Sequence, residues 1–341
     1  MSLASLPFAA LVAIRLAAGP SPGGPVTEAL RSPVADVLRS VATLERPFAA
    51  RPFRNDATAV FWLSDAQGYI WQLDRKATIV GVLTDCEEPA GIKVDRNRNV
   101  WAACTDGSTI QEYTPGASTA SLVLDDTPGF YPNDVAVDEH GDVYAVNIEG
   151  IVCRASSCTS YPGNVVYWKA AQRSNGALPT GVIADPNMYE GSFIDTDDAG
   201  NLYVDMLNQA AFAGETDRIG SPREPHPSIT NLGIDPDVPG GVYVSNGGTV
   251  LNVLDQQART IGRYRLPGIT SLGVLGSLPQ NYEKSAQPIG FGFSKGDRSV
   301  AVADAGCRAL DLGAVQANTF VQLLNASFVD PVGAAFVTSD K

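Results

Sequence analysis

The sequence predicts an all-β fold, a six-bladed β-propeller in which each blade is a four-stranded antiparallel sheet. The first observation is a repeated motif, in which an apolar strand, a turn of Asp, Gly and Asn, and a second apolar strand follow one another. It occurs as GIKVDRNRNVWAAC from Gly91, NDVAVDEHGDVYAVN from Asn133, GSFIDTDDAGNLYVDM from Gly191, NLGIDPDVPGGVYVSN from Asn231 and IGFGFSKGDRSVAVAD from Ile289. The second observation is the basic period of about forty residues, which is the length of one propeller blade.

The two ends of the propeller region supply the remaining blade. AVFWLSDA from Ala59 has the pattern of a second strand without a first strand before it, and DPVGAAFV (330–337) has the pattern of a first strand without a second. Pairing these segments closes the ring and removes the free sheet edges. We therefore predict a propeller over residues 56–341. A β-sandwich is the alternative, and the regular spacing disfavours it.

The residues before the propeller are predicted to form separate segments. Residues 1–24 combine an apolar stretch with a Pro- and Gly-rich spacer, which resembles a secretory signal peptide. An unstructured extension or a start site placed too early is the alternative. Residues 25–55 have mild helical periodicity between prolines and are predicted to be a linker or a short helix. This interpretation places the protein outside the cytoplasm, as a secreted, periplasmic or cell-surface protein.

Charge and hydropathy exclude several classes of partner. The 341 residues include 24 Lys and Arg against 37 Asp and Glu, which gives a formal net charge of −13. Nucleic acids and anionic membranes are bound by clustered basic residues, and the sequence has no basic run. No apolar stretch after the first twenty residues approaches the ~18 residues that span a bilayer. We expect a monomer that binds a small molecule or a protein.

The cysteines and histidines constrain the chemistry further. In an exported protein the five cysteines would form Cys86–Cys104 and Cys153–Cys158 disulfides and leave Cys307 unpaired. Free cytosolic thiols or a thiolate metal site are the alternatives. Only two histidines are present, His140 in a hairpin turn and His226 in a Pro-rich loop. A His-ligated zinc site or a Ser-His-Asp triad needs better-placed histidines than these.

Two copies of the motif carry a family resemblance. EPAGIKVDRNRNVWAAC and YPNDVAVDEHGDVYAVN resemble the repeat of NHL-repeat and SMP-30/gluconolactonase-like propellers. The resemblance implies the six-bladed scaffold, which in these families carries lyases, lactonases and binding modules alike. Virginiamycin B lyase-like propellers are similar too, but they use a histidine base that this sequence does not place well.

The strand order predicts which face binds. Turns between strands one and two, and between three and four, lie on one face, here called the hairpin face. Links between strands two and three, and from each blade to the next, lie on the opposite face, here called the second face. Two insertions, at residues 150–163 and 267–288, are both assigned to the second face. Because long loops over a rigid frame tend to carry function, we predict the binding site there.

Polar residues are predicted to ring the channel mouth on the second face. By register they are Asn133, Glu190 and Thr230 near the first strands, and Asn147, Asn246 and Asp304 at the ends of the second strands. In SMP-30-like lactonases similar positions hold a divalent cation, so the resemblance implies Glu190 and Asn133 as metal ligands. Two ligands are few for a hard cation that takes six or more oxygens.

Three functional hypotheses follow. The leading one is an exported NHL-like propeller that binds a ligand or protein on the second face, without catalysis or a cofactor. The alternative is a metal-dependent lactone hydrolase of the SMP-30/gluconolactonase type, with a divalent cation such as Ca²⁺ on Glu190 and Asn133 and with Asp304 as base. The third is a purely structural scaffold.

Overall fold

The structure is a computed structural model that describes residues 59–127, 130–154, 157–224, 227–245, 247–276, 278 and 287–337. These residues belong to one compact unit, Phe53–Lys341. The predicted signal peptide and linker (1–24 and 25–55) lie outside the described residues, as do His226 and Asn246. Within the described ranges, no helix has the length and apolarity needed to cross a membrane.

Six four-stranded antiparallel sheets form the blades of a closed propeller, as the sequence predicts. Blade one comprises β1 (Ala59–Asp65), β2 (Tyr69–Asp74) and β3 (Ile79–Leu83), with the closing strand β24 (Pro331–Phe336). Blade two comprises β4 (Pro89–Val94), β5 (Val100–Cys104), β6 (Thr109–Tyr113) and β7 (Leu122–Asp125). Blade three comprises β8 (Phe130–Val137), β9 (Val143–Arg154), β10 (Ser157–Trp168) and β11 (Gly181–Ile183). A single 3₁₀ turn, Ala170–Gln172, interrupts the link between β10 and β11.

The other three blades follow the same plan. Blade four comprises β12 (Met188–Thr196), β13 (Leu202–Asn208), β14 (Gly214–Ile219) and β15 (Ile229–Asn231). Blade five comprises β16 (Pro239–Ser245), β17 (Val250–Asp255), β18 (Thr260–Arg265) and β19 (Thr270–Leu275). Blade six comprises β20 (Pro288–Phe293), β21 (Ser299–Asp304), β22 (Ala309–Ala314) and β23 (Thr319–Leu324). The first strands of the six blades (β24, β4, β8, β12, β16 and β20) surround the axis, and hydrophobic clusters fill the spaces between neighbouring blades.

The Asp-rich turns of the motif are structural. Asp95 Oδ1 accepts hydrogen bonds from the backbone amides of Asn97 (2.8 Å) and Asn99 (2.9 Å), and so fixes the hairpin between β4 and β5. Asp138 makes the equivalent bonds in the next blade. These side chains satisfy amides that would otherwise be exposed in a tight turn, which explains why the motif repeats without implying a binding site.

The ring closes as predicted. β24 pairs with β1, so that Trp62 lies opposite Ala335 and Leu63 opposite Ala334. Asp65 at the end of β1 accepts hydrogen bonds from the amides of Val329 (2.8 Å) and Asp330 (3.2 Å), which ties the incoming chain to blade one. The edge of β1 that an open ring would leave unpaired is thereby covered by β24.

The strand assignment predicted for blade five is wrong. VYV (242–244) was expected to be a second strand, but β16 is the first strand of its blade and pairs with β17. Thr230 and Asn231, expected at the start of that blade, instead belong to β15, the outer strand of blade four. A first strand buried along its whole length has the same apolar pattern as a second strand, so the pattern alone does not separate them.

The two insertions differ from their predicted form. Residues 150–163 continue β9 and β10 into a long hairpin, with strands of 12 residues each, beyond the level where Asn147 and Asn164 pair. This hairpin extends the second face. The 267–288 insertion was assigned to the link between blades five and six, but Thr270–Leu275 of it forms the outer strand β19 of blade five.

Candidate functional site

The channel mouth on the second face is formed by one position at the start of each first strand. The six residues are Ala90, Asn133, Glu190, Gly240, Ile289 and Val332, and all are buried. Gly240 takes the position expected for Thr230, which lies on the outer strand of blade four, away from the mouth. Asn246 is outside the described residues, and Ser245 before it ends a first strand rather than a second.

The donors at the mouth do not fit a catalytic divalent cation. The Asn133 amide donates to the Ser192 carbonyl on the neighbouring blade, and its buried Oδ1 has no hydrogen-bond partner among the described atoms. Glu190 is the only other polar side chain of the ring, since the remaining four blades present Ala, Gly, Ile and Val. In the described part of the chain, no group of three or more His, Cys, Asp and Glu is arranged to hold a metal ion.

A lysine lies inside the channel. Lys93 Nζ is 3.6 Å from Asp134 Oδ2 and 3.4 Å from the Val242 carbonyl oxygen, so this side chain connects blades two, three and five across the axis. The ammonium also lies 5.4 Å from the centroid of the Tyr243 ring. Burial raises the pKa of Asp134 to about 6, although Lys93 and the Ile194 amide both act to lower it. The remaining space around these groups offers the centre of a water molecule only about 10 Å³, roughly one water.

Side chains at the ends of second strands can anchor the link that enters the same blade. Asp304 Oδ1 accepts hydrogen bonds from the amides of Gln287 (2.9 Å) and Cys307 (3.0 Å), so the predicted base acts as a backbone tether. Asn147 is buried and donates to Asn164 Oδ1 at 3.0 Å within its own blade. Both side chains are fully buried, and their roles in ligand binding stay predictions.

One predicted disulfide is confirmed. Cys86 and Cys104 are bonded, and both are buried. Cys104 is the residue opposite Pro89, the position that Asp304 takes opposite Pro288. The disulfide therefore anchors the link into blade two covalently, whereas Asp304 anchors the link into blade six by hydrogen bonds.

The other cysteines leave the second pairing a prediction. Cys153 and Cys158 face each other in the register of the β9–β10 hairpin, but their side chains lie outside the described set. Cys307 is partly buried and is not part of a disulfide within the described residues.

The second face gathers carboxyl groups around one tyrosine. Burial raises the pKa of Glu88 to about 8, and the carboxylates of Asp106 and Asp330 raise it further. Burial also raises the pKa of Tyr131, with added contributions from Asp106, Glu149 and Glu88. Glu88 and Asp330 lie in links between blades, Asp106 lies in a turn between second and third strands, and Glu149 lies on the long hairpin, so all of them reach the second face. We call Glu88, Asp106, Tyr131, Glu149 and Asp330 the acidic cluster.

Aromatic rings flank the acidic cluster on blades three and four. Tyr161 on the long hairpin is 44% exposed, and its ring centroid lies 6.4 Å from that of Phe130. Phe212, in the turn after β13, is 62% exposed and packs edge-on against Tyr189 at 5.3 Å. The second face therefore combines negative charge with accessible aromatic surface.

A further carboxyl cluster lies at depth in blade four. Asp217 is fully buried, and neither of its carboxyl oxygens has a hydrogen-bond donor among the described atoms. Burial raises its pKa to about 8, and the neighbouring carboxyl groups of Asp185 and Glu215 add to the effect. The raised pKa of Asp217 means that its carboxyl group holds a proton in the folded state near neutral pH, so this group makes stability depend on pH.

Sequence reasoning missed the acidic cluster. Its members occur in the segments CEEP, CTDG, FYPN, NIEG and FVDP, which are separated by up to 242 positions and share no motif. Three of the five, Glu88, Tyr131 and Asp330, directly precede a Pro, on the face to which the links were assigned. Sorting acidic residues by face would have collected them.

The fold and the second face define the class of this protein, a six-bladed β-propeller with an elaborated face. Solved structures similar to it include a chain of a nidogen/laminin complex, with a TM-score of 0.60, 14% identity and coverage of 83% of this chain and 100% of that one. A functionally unknown protein from Desulfotomaculum acetoxidans has a TM-score of 0.56 and 11% identity, with 83% and 100% covered. A protein from Lactobacillus plantarum has a TM-score of 0.52 and 17% identity, with 78% and 82% covered.

These similarities establish the fold alone. No protein-family model matches the sequence. No curated protein matches it either.

Proposed function

We propose that this protein is an exported, NHL-like propeller that binds a cationic segment of another protein on its second face, without catalysing a reaction. The observation that carries the proposal is the convergence of Glu88, Asp106 and Glu149 on Tyr131. Burial and the neighbouring carboxylates raise the pKa of Glu88 and Tyr131, and a bound Lys or Arg side chain would offset the repulsion among these groups. The net charge of −13 would also attract a basic partner from a distance.

The aromatic residues fit the same ligand chemistry. A Lys or Arg side chain over an exposed Tyr or Phe ring gains about 0.5–1 kcal/mol, and more when the contact excludes water. Tyr161 and Phe212 lie exposed on the same face as the acidic cluster. A cationic peptide could therefore place charge among the carboxylates and its aliphatic stems on the rings.

Two further observations support an exported binding protein. The buried Cys86–Cys104 disulfide is typical of oxidising compartments, because cytosolic proteins are kept reduced. The similar chain in the nidogen/laminin structure belongs to a complex of two proteins. Neither the channel donors nor the histidines favour the lactonase alternative.

Calorimetry with a defined peptide tests the proposal. The probe is a peptide of alternating Lys and Gly, and the reversed-charge control replaces each Lys with Glu. Glu88 carries a proton near neutral pH, so cation binding should release it, and the observed heat should differ between buffers of different ionisation enthalpy. Affinity should rise as pH increases through about 8, because the carboxylate form then needs no deprotonation.

Matched variants locate the site. Glu88→Gln with Asp106→Asn should weaken binding about tenfold or more. Glu139→Gln with Asp198→Asn makes the same two types of substitution on the hairpin face and should change affinity less than about twofold. Equal losses in both pairs would show that only net charge matters and would contradict the proposed site. Turnover of a lactone panel with Ca²⁺, lost in Glu190→Gln, would replace the proposal with the hydrolase.

A further inference from the structure

The outer strands of the six blades are not equivalent. β11 and β15 have three residues each, and the edge of β7 is covered by the chain that follows β10. There the Gly176 amide donates to the Val123 carbonyl at 2.9 Å, and the Asp125 amide donates to the Ala177 carbonyl at 3.1 Å. By contrast, β19 and β23 have six residues each. Blades five and six therefore present the longest outer strands of the described propeller.

These two strands also lack the usual protection of a sheet edge. Natural edge strands carry charged residues or prolines that discourage pairing with another strand. Residues 312–329, which include β23, contain no charged residue and no proline. Val321 and Leu324 on β23 are each 63% exposed. Because they are an odd number of positions apart, they point to opposite faces of the strand.

The charge distribution indicates which partner could approach this edge. Residues 239–324 contain seven Lys and Arg against five Asp and Glu, whereas the rest of the chain contains seventeen against thirty-two. Electrostatic repulsion between two copies of the protein is therefore smallest when blades five and six of one copy face blades five and six of the other. The more acidic blades of the two copies are then farthest apart. A second copy is thus the occupant that the charges favour.

Of the two strands, β23 is better suited to pairing. Its ladder with β22 runs without a register shift from Ala309–Leu324 to Ala314–Thr319. The β18–β19 ladder, by contrast, has a register irregularity between Arg263 and Tyr264.

We propose that β23 pairs edge to edge with β23 of a second copy, forming a two-fold symmetric dimer whose blades six join into one eight-stranded antiparallel sheet. Two-fold symmetry makes the two strands antiparallel, so each copy offers the other the same backbone donors and acceptors. Val321 and Leu324 then pack against side chains of the partner on either side of the joined sheet. The contact is small, so the dimer is weak and forms with increasing concentration. The monomer expected from the sequence is its dissociated state.

Sedimentation equilibrium from about 1 µM to about 1 mM protein tests the proposal over the range in which weak dimers form. The wild-type protein should show a rising dimer fraction, and Val321→Lys should weaken the dimer about tenfold or more by placing like charges across the seam. Val182→Lys is the matched control, because Val182 is 56% exposed on the short outer strand β11. It should dimerise as the wild type does.

Hydrogen exchange provides a second measurement. The outward-pointing amides of 319–324 should become more protected as concentration rises, while those of 181–183 should not change. If Val321→Lys lowers the melting temperature, Leu324→Lys takes its place. A monomer over the whole concentration range, a dimer insensitive to both β23 variants, or equal disruption by Val182→Lys would each overturn the proposal.

Discussion

Replacing the channel lysine should destabilise the propeller strongly. Lys93→Met keeps most of the aliphatic length but removes the ammonium that faces Asp134. At a separation of 3.6 Å and an effective dielectric of about 20, the lost attraction is about 5 kcal/mol. Breaking a buried ion pair by removing one partner costs about 3–5 kcal/mol, because the remaining charge is left without compensation. We therefore expect a loss of about 3–5 kcal/mol near pH 8.

The loss should depend on pH in a defined direction. The pKa of Asp134 is already raised to about 6 by burial, and removing Lys93 takes away the charge that lowers it. The folded variant therefore keeps the Asp134 proton to higher pH than the unfolded chain, so its stability falls as pH rises through the folded pKa. The difference from the wild type should be smallest near pH 5, where Asp134 is neutral in both proteins.

Urea denaturation at pH 5 and pH 8 measures both effects. Lys295→Met, which removes an exposed lysine, is the control and should change stability by less than about 0.5 kcal/mol. Adding Asp134→Asn to Lys93→Met removes the uncompensated carboxylate and should restore part of the loss. A cost of Lys93→Met below about 1 kcal/mol at pH 8, or one equal at both pH values, would refute the reasoning.

Three other perturbations have clear expected outcomes. Because the pKa of Asp217 is raised to about 8 in the folded protein, the melting temperature should fall as pH rises from about 5 to about 9. The Asp217→Asn substitution should make the melting temperature depend less on pH. A steeper fall in the variant than in the wild type would contradict this prediction. Replacing both Cys86 and Cys104 with Ser opens a loop of 18 residues and should cost about 3 kcal/mol in urea denaturation, whereas no change would show that the tether is redundant. A Cβ on Gly91 would lie 2.6 Å from a backbone atom of the neighbouring blade, whereas a Cβ on Gly268 would meet nothing closer than 3.9 Å. The Gly91→Ala variant should therefore unfold at a markedly lower temperature than the Gly268→Ala variant. Similar melting temperatures for the two variants would argue against tight packing at the axis.

Most of the architecture could be predicted from the sequence because its signals are local. Asp95 and Asp138 cap their own hairpins, so the turn, its two strands and their spacing are visible in a short segment. Blade five departs from this rule. Its first strand is followed by Gly247 and Gly248, both with positive φ, instead of an Asp-capped turn, and the preceding outer strand has only three residues. The apolar VYV segment was therefore placed one strand too late.

The polar interior could not be predicted in the same way. Lys93 occupies an ordinary position in GIKVD, and its partners Asp134 and Val242 come from other blades. Which side chains meet on the axis depends on how six strands close a ring, and no segment of the chain contains that information. The acidic cluster is similar, since Glu88 and Asp330 approach each other only after closure.

The way the ring closes also sets the order in which the protein can be completed. The Gly333 amide donates to Ser64 Oγ across 269 positions of sequence, so blade one stays unfinished until the last blade has been made. Until then the edge of β1 that pairs with β24 and the apolar face around Leu63 have no neighbour. Such long-range closure makes folding slow and leaves the incomplete chain prone to aggregation.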